Sequence, residues 1–330
     1  MALGLALPVG RAAAAQTPAR PAVIAHRGAS GYRPEHTLGA YELAFRLGAD
    51  SVELDLLATA DGALVCRHDV ELSRTTDVAA RPEFAHLRRT VEVDGTAVEG
   101  WFVHDFTLLE LQQLRARERW PKKRHGSASF NGRFTIPTLE DVLDLVDVES
   151  ARAGTQLGVH AELKSHGHLR AQGLDLAELV NGRPAAARPE VTWFSFDSAV
   201  LRPLEVSGPV LRLFDKAPNK LALARTAEYA AGVAVHRKAV FPRLPDGSIG
   251  RPTNLVEKAH RRGLSVLVWT HRAENQHLPT QFRIGSAPHG HGDAVGEAEL
   301  LYRVGIDGLI SDHPETAAAA RERLGQLALA

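Results

Sequence analysis

A single cysteine, Cys66, stands among 330 residues. That scarcity excludes an intramolecular disulfide and a thiolate zinc site. Excess charge of either sign is equally missing, because 39 Lys plus Arg are balanced by 39 Asp plus Glu and no basic tract occurs. Nucleic-acid binding leans on clustered cations that neutralise phosphates, so no nucleic-acid partner is expected. Beyond the N-terminal stretch, nothing approaches the roughly 20 consecutive apolar residues that span a bilayer, and stable membrane insertion is not expected either. What the chain does have is 44% hydrophobic and 24% charged residues, the balance of a globular protein with a full core rather than a disordered or fibrous one. The length allows two domains, although an α/β barrel of roughly 250 residues forms one.

Residues 1–15 are small and apolar and end in an A-x-A pattern at Ala13 and Ala15, while a basic segment before them is lacking. We read 1–20 as a truncated signal peptide or flexible leader, which predicts a periplasmic or secreted protein. From residue 22 on, β-rich runs alternate with amphipathic helical stretches, as in βα units around a parallel sheet. Candidate strands lie at 22–26, 51–56, 64–68, 157–163, 191–196, 210–214, 232–236, 265–270 and 307–311. That is one too many for an eight-stranded barrel. The tight-turn pair Asp61-Gly62 makes 64–68 a hairpin partner of 51–56 instead, and reflection about it puts His68 opposite Asp55. The stretch 70–136 is too long for a βα loop and is expected as an insertion, with a helix near 105–111 and an exposed basic loop at 122–132. A second long loop is expected at 270–297.

Three carboxylates fall at or near strand ends: Glu53 and Asp55, two apart and therefore on one strand face, and Glu162. Gathered at the top of a barrel they would repel one another unless a hard divalent cation such as Ca²⁺ or Mg²⁺ held them together. Arg27 and Lys164 would clamp an anion beside them. Three acids, one divalent ion and these two cations leave a single positive charge, which a phosphodiester neutralises. His26 and His68 titrate near neutral pH and suit the two proton transfers of phosphodiester cleavage, one histidine taking a proton and the other giving one. Paired acids in a barrel are equally compatible with a glycosidase. Glu35 and His36 are expected to cap the helix starting near Thr37. Trp269 is a candidate for the pocket wall, Phe196 less so, and His289-Gly290-His291-Gly292-Asp293 is expected as a mobile loop rather than a second metal site.

The motifs carry a resemblance over nearly the whole chain. His26-Arg27-Gly28-Ala29-Ser30-Gly31-Tyr32, Pro34-Glu35-His36-Thr37, Glu53-Leu54-Asp55 and His68-Asp69 are followed by Thr75-Thr76-Asp77-Val78, Asp105-Phe106-Thr107-Leu108, Glu162-Leu163-Lys164, Trp269-Thr270 and Ser311-Asp312. Together these resemble the glycerophosphodiester phosphodiesterases, and most nearly their exported, bacterial periplasmic type. The resemblance implies a TIM (β/α)8 barrel of the phospholipase-C-like phosphodiesterase kind with an inserted subdomain at about 70–136 and the barrel over 21–330. It implies metal-dependent hydrolysis of glycerophosphodiesters, such as glycerophosphocholine and glycerophosphoethanolamine, to sn-glycerol 3-phosphate and an alcohol. His26 and His68 match the catalytic histidines, Arg27 and Lys164 the residues at the phosphate, and Glu53, Asp55 and Glu162 the ligands of one divalent ion, Ca²⁺ before Mg²⁺. His160-Ala161-Glu162 departs from the family, which often has an aromatic residue or proline before the third carboxylate. A phospholipase D-like enzyme acting on lysolipids or sphingomyelin, and a catalytically silent solute-binding barrel, are the two alternatives. An apolar cleft mouth would favour the first, and binding without turnover the second.

Overall fold

A computed structural model of the chain describes residues 20–93 and 95–327. The expected leader falls on residues that lie almost wholly outside this range. Among the described residues, eleven strands occur: β1 (Ala22–Ala25), β2 (Ser51–Ala58), β3 (Leu64–Cys66), β4 (Arg89–Val93), β5 (Thr96–Gly100), β6 (Gly158–Leu163), β7 (Val191–Ser195), β8 (Val210–Phe214), β9 (Gly232–His236), β10 (Ser265–His271) and β11 (Gly308–Ser311). Eight of them run parallel in the order β1, β2, β6, β7, β8, β9, β10, β11, and β11 pairs with β1 to close the barrel. This is the expected TIM barrel.

Its strands read as nearly unbroken apolar runs because both faces are covered, the outer one by helices and the inner one by the other strands. β2 shows the division of labour. All eight of its residues are buried, with Val52, Leu54 and Leu56 in the large core beneath the helices, while the alternate positions Glu53 and Asp55 turn inward. Inside the barrel a smaller core of Ile24, Phe194, Leu211, Leu213, Ala234, Leu267 and Ile310 fills the lumen. The barrel is therefore a packed plug with a polar top rather than a pore.

β3 pairs antiparallel with β2, as the surplus strand should, but one residue out of the expected register. The turn holds three residues, Ala60-Asp61-Gly62, with Gly62 in the left-handed region at φ +78° and Thr59 N–H donating to Ala63 O at 3.0 Å. A two-residue turn would have set His68 against Asp55, whereas the extra residue puts Arg67 there, its amide donating to Asp55 O at 2.9 Å. Arg67 consequently turns into the core beside Thr75, and His68 lies just past the strand.

Outside the barrel sheet, the chain after β3 forms the separate β4–β5 hairpin and several single-turn helices. One of these, Leu108–Leu111, carries a capping box between Thr107 and Glu110 and lies where the sequence placed a helix. The basic stretch 122–132 is largely exposed, as expected, with Lys122, Lys123 and His125 in solvent, but it is not wholly a solvated loop. It contains the helical turn His125–Ala128, and Arg124 and Ser127 are buried. Among the described residues no helix is long and apolar enough to cross a membrane.

Candidate active site

The site is built at the C-terminal ends of the barrel strands, where βα loops converge. Immediately after β1, Arg27 adopts φ +57°, a left-handed conformation that costs a non-glycine residue on the order of 1–3 kcal/mol. That turn aims its amide at Glu53 Oε2, 2.7 Å away, and its side chain over Asp55, with Nε 3.3 Å from Oδ2. Gly28 makes the turn possible. At φ +80° it sits so close to Ala40 that a Cβ there would lie 2.6 Å from the Ala40 backbone. Ser165, directly after Lys164, is also left-handed at φ +49°.

Glu53, Asp55 and Glu162 offer three oxygens within 4.8 Å of one another, and all three residues are buried. The register that does this is direct, since Asp55 pairs with Glu162 across β2 and β6. Three buried carboxylates this close do not ionise together unaided. Burial and the neighbouring Asp55 push Glu53 well above the usual carboxylate range. Burial likewise raises Glu162 to about 8, against the pull of Lys164. Asp55 behaves oppositely, since burial disfavours its charge but Lys164, His68 and Arg27 outweigh that and hold it well below its ordinary value. An all-oxygen donor set with unbalanced negative charge fits a hard divalent cation, which would let all three acids ionise. Lys164 Nζ lies 3.1 Å from Glu162 Oε1 and 3.9 Å from Asp55 Oδ1.

Both candidate histidines line the cleft, and each is held from behind by a carboxylate. His26 Nδ1 lies 2.6 Å from Asp312 Oδ1, and His68 Nδ1 lies 2.5 Å from Asp69 Oδ1. An ionised carboxylate can only accept, so each Nδ1 carries the hydrogen and each Nε2 is left as the group that exchanges a proton. His68 Nε2 is 3.3 Å from Lys164 Nζ. Burial and the adjacent Arg27 lower His26 to about 4, and the same two causes lower His68. Both shifts favour the uncharged ring, and the negative charge of a bound phosphodiester opposes them, favouring a second proton at Nε2 of the ring that faces it.

Seven of the eight residues singled out from sequence converge directly around the triad. Trp269, the eighth, forms the opposite wall with Phe196 and His236, its ring edge-on to both at 5.7 and 5.2 Å. The cleft encloses about 180 Å³, and Phe194, Leu213 and Ile310 form its apolar floor. Phe196 lines it too, although its sequence position favoured the core. Glu35 and His36 do not cap the helix Leu38–Arg46. Thr37 does, accepting from Ala40 N–H. His36 Nε2 instead bonds Asp55 Oδ2 at 2.8 Å, and Glu35 bonds Arg27 at 3.1 Å. The 289–293 segment is tied down rather than loose: Gly290 O and Gly292 N–H bond the backbone of Asn275 and Ala273, and Asp293 caps the helix Ala294–Arg303. Asp312, Arg119, Arg124 and Arg272 have no role in the sequence reading because their partners lie far along the chain, and Asp69, although next to His68, has none because adjacency alone does not show that its carboxylate turns back onto the ring.

A TIM barrel whose strand ends gather acids for a hard cation, cations for an anion and two oriented histidines defines a phosphodiesterase-type enzyme. The chain belongs to the glycerophosphoryl diester phosphodiesterase family, whose sequence profile matches residues 26–316. It is 31% identical to the glycerophosphodiester phosphodiesterase GDPD6 of Arabidopsis thaliana, over 89% of this chain and 84% of that one. Identity to a glycerophosphodiester phosphodiesterase of Caldanaerobacter subterraneus is 28%, over 89% and 95% of the two chains. Among solved structures, a phosphodiesterase of Oleispira antarctica in complex with the product sn-glycerol-3-phosphate superposes with a TM-score of 0.61 at 24% identity, covering 92% of this chain and 97% of that one. The last comparison agrees with the barrel fold.

Proposed function

We propose that this glycerophosphodiester phosphodiesterase releases sn-glycerol 3-phosphate and a free alcohol from small substrates such as glycerophosphocholine and glycerophosphoethanolamine, with His26 and His68 as its acid–base pair. One observation carries the reading. Two histidines, each with Nδ1 committed to a carboxylate at 2.5–2.6 Å, face one cleft beside a buried carboxylate triad. Glu53, Asp55 and Glu162 would hold one divalent ion, Ca²⁺ in preference to Mg²⁺, and the bound ion would supply electrophilic stabilisation of negative charge. Arg27 and Lys164 bind the phosphate and stabilise the charge that grows on its oxygens in the transition state. One histidine takes at Nε2 the proton of the attacking oxygen, either water or the glycerol 2-hydroxyl followed by a water that opens the cyclic phosphate, and the other, charged beside the bound phosphate, gives its Nε2 proton to the leaving alcohol oxygen.

The cleft supports a small polar substrate over a lysolipid. It encloses about 180 Å³ and is lined mainly by charged and polar groups, with aromatic rings confined to one wall and the floor. An acyl chain needs a longer apolar trough than this. Trp269 packs against the substrate's glycerol or alcohol part. The A-x-A pattern near the N-terminus supports a periplasmic or secreted enzyme. Release of the free alcohol, choline or ethanolamine, is measured from glycerophosphocholine, glycerophosphoethanolamine and lysophosphatidylcholine, with the wild type and His68→Ala. The expected result is turnover of the first two, little of the third, and a fall of about 10²–10⁴-fold in the variant. Preference for the lysolipid, or full activity of His68→Ala, contradicts the reading.

A further inference from the structure

The two cleft histidines share a feature that neither the triad nor the barrel requires. Behind His68, Asp69 uses Oδ1 for the ring and Oδ2 for Arg119 Nη1, at 2.6 Å. Behind His26, Asp312 uses Oδ1 for the ring and Oδ2 for Arg124 Nη2, also at 2.6 Å, and the same Oδ2 accepts from Arg272 Nε at 2.8 Å. The two chains of contact are the same in kind: histidine, carboxylate, arginine. Both arginines come from a single stretch of the segment outside the barrel, five positions apart.

Each guanidinium is buried, and each is fixed by further bonds. Arg119 forks onto Glu35, with Nε and Nη2 both at 2.7 Å from its two oxygens, and Glu35 in turn holds Arg27. Arg124 donates from Nε to Glu274 at 2.7 Å and from Nη1 to the Ser30 carbonyl at 2.9 Å. Burying a guanidinium is costly, and a buried ion network is often no more stabilising than an apolar one of the same volume. What the arrangement does supply is orientation. A carboxylate with one oxygen pinned by an arginine cannot rotate away from the imidazole it holds, and a rigid fork does this where a lysine's point charge would not.

We propose that Arg119 and Arg124 are positioning residues for the acid–base pair, acting through Asp69 on His68 and through Asp312 on His26. The segment outside the barrel thus completes the catalytic apparatus. This rests on the proposed roles of the two histidines. The test uses the full-length enzyme and glycerophosphocholine, comparing Arg119→Gln, Arg119→Lys, Arg124→Gln and Arg124→Lys with Asp69→Asn and Asp312→Asn and with the paired double variants.

The Gln variants should lose about 10²-fold in kcat with KM little changed, as expected when a reacting group is misplaced by about 1 Å. The Lys variants should recover part of that loss. Adding Arg119→Gln to Asp69→Asn, or Arg124→Gln to Asp312→Asn, should cost nothing further, because residues that act through one another are not additive. Nitrogen NMR of the histidines gives a readout independent of turnover: the bonded Nδ1–H signals of His68 and His26 should disappear in the matching arginine variants, Lys forms included if the Gln forms do not fold. Losses that multiply in the doubles, wild-type kcat in the Gln variants, or Nδ1–H signals that persist would overturn the proposal. His26→Ala and His68→Ala separate the two levels, since full activity there sinks the acid–base reading itself, while inactive alanine variants beside active arginine variants sink only the positioning role.

Discussion

His36 shows how a single side chain works at a distance from the chemistry. Its φ of +55° and the bond its Nδ1 accepts from the Tyr41 hydroxyl at 2.9 Å fix the ring so that Nε2–H meets Asp55. Replacing it with Ala should leave the fold in place and weaken Ca²⁺ binding by about 10–100-fold, the usual effect of removing a partner that orients a metal ligand. Calorimetric titration checks this, and unchanged affinity would show that Asp55 needs no such support. At this scale the sequence was legible where chemistry follows strand periodicity. Glu53 and Asp55 share a face because they are two apart, and Glu162 joins them through one register pair. It was illegible where a side chain finds its partner across the whole chain. His26 and Asp312 are 286 residues apart, and Arg124 and Asp312 are 188 apart. No local pattern encodes such pairs.

Among elements, the β2–β3 hairpin and the turn after β1 carry the most consequence. A two-residue turn at Asp61-Gly62 would put His68 opposite Asp55, and the observed one-residue shift comes from a turn that also takes in Ala60, with Gly62 left-handed at its end. His68 still reaches the site, because it has left the strand and is positioned by Asp69 and Lys164 instead of by pairing. In the β1 turn, Gly28→Ala should destabilise the protein by about 1–2 kcal/mol from backbone strain alone, with more from the 2.6 Å approach to Ala40. It should also lower kcat by displacing Arg27. Denaturant midpoints and steady-state turnover test both, and a variant with wild-type values in each would refute the assignment of strain there. The helix Leu139–Ala153 offers a control, as its capping box joins Thr138 and Asp141 away from the cleft. Thr138→Ala should cost about 1 kcal/mol of stability and leave kcat unaltered.

The whole molecule balances its charges overall, yet stores them unevenly. The helix-covered core and the barrel lumen are apolar, while buried ions and neutral histidines crowd the top of the barrel. His271 and His313 lie there outside the triad. Burial and Arg237 lower His271 to about 3, and burial lowers His313 to about 4. Both ordinarily titrate near 6.5, so the unfolded chain takes up protons that the folded one refuses. Stability should be complete above about pH 6.5 and fall as pH drops toward 4, by on the order of 1–2 kcal/mol per histidine at pH 5. Chemical denaturation at pH 7.5 and pH 5 measures this, and a flat profile would contradict it. The barrel itself was readable from alternating strand and helix patterns, whereas the burial of Arg124 inside a basic stretch was not, because only the fold supplies its partners Glu274 and Asp312.

Glu53, Asp55 and Glu162 should make turnover by this phosphodiesterase depend on a divalent ion. Glycerol 3-phosphate release from glycerophosphocholine, measured on protein stripped with a strong chelator and then resupplied with Ca²⁺ or Mg²⁺, tests it most directly. Turnover should be lost on stripping, return on resupply with Ca²⁺ above Mg²⁺, and stay absent in Asp55→Asn. Undiminished turnover by the thoroughly stripped protein would contradict it.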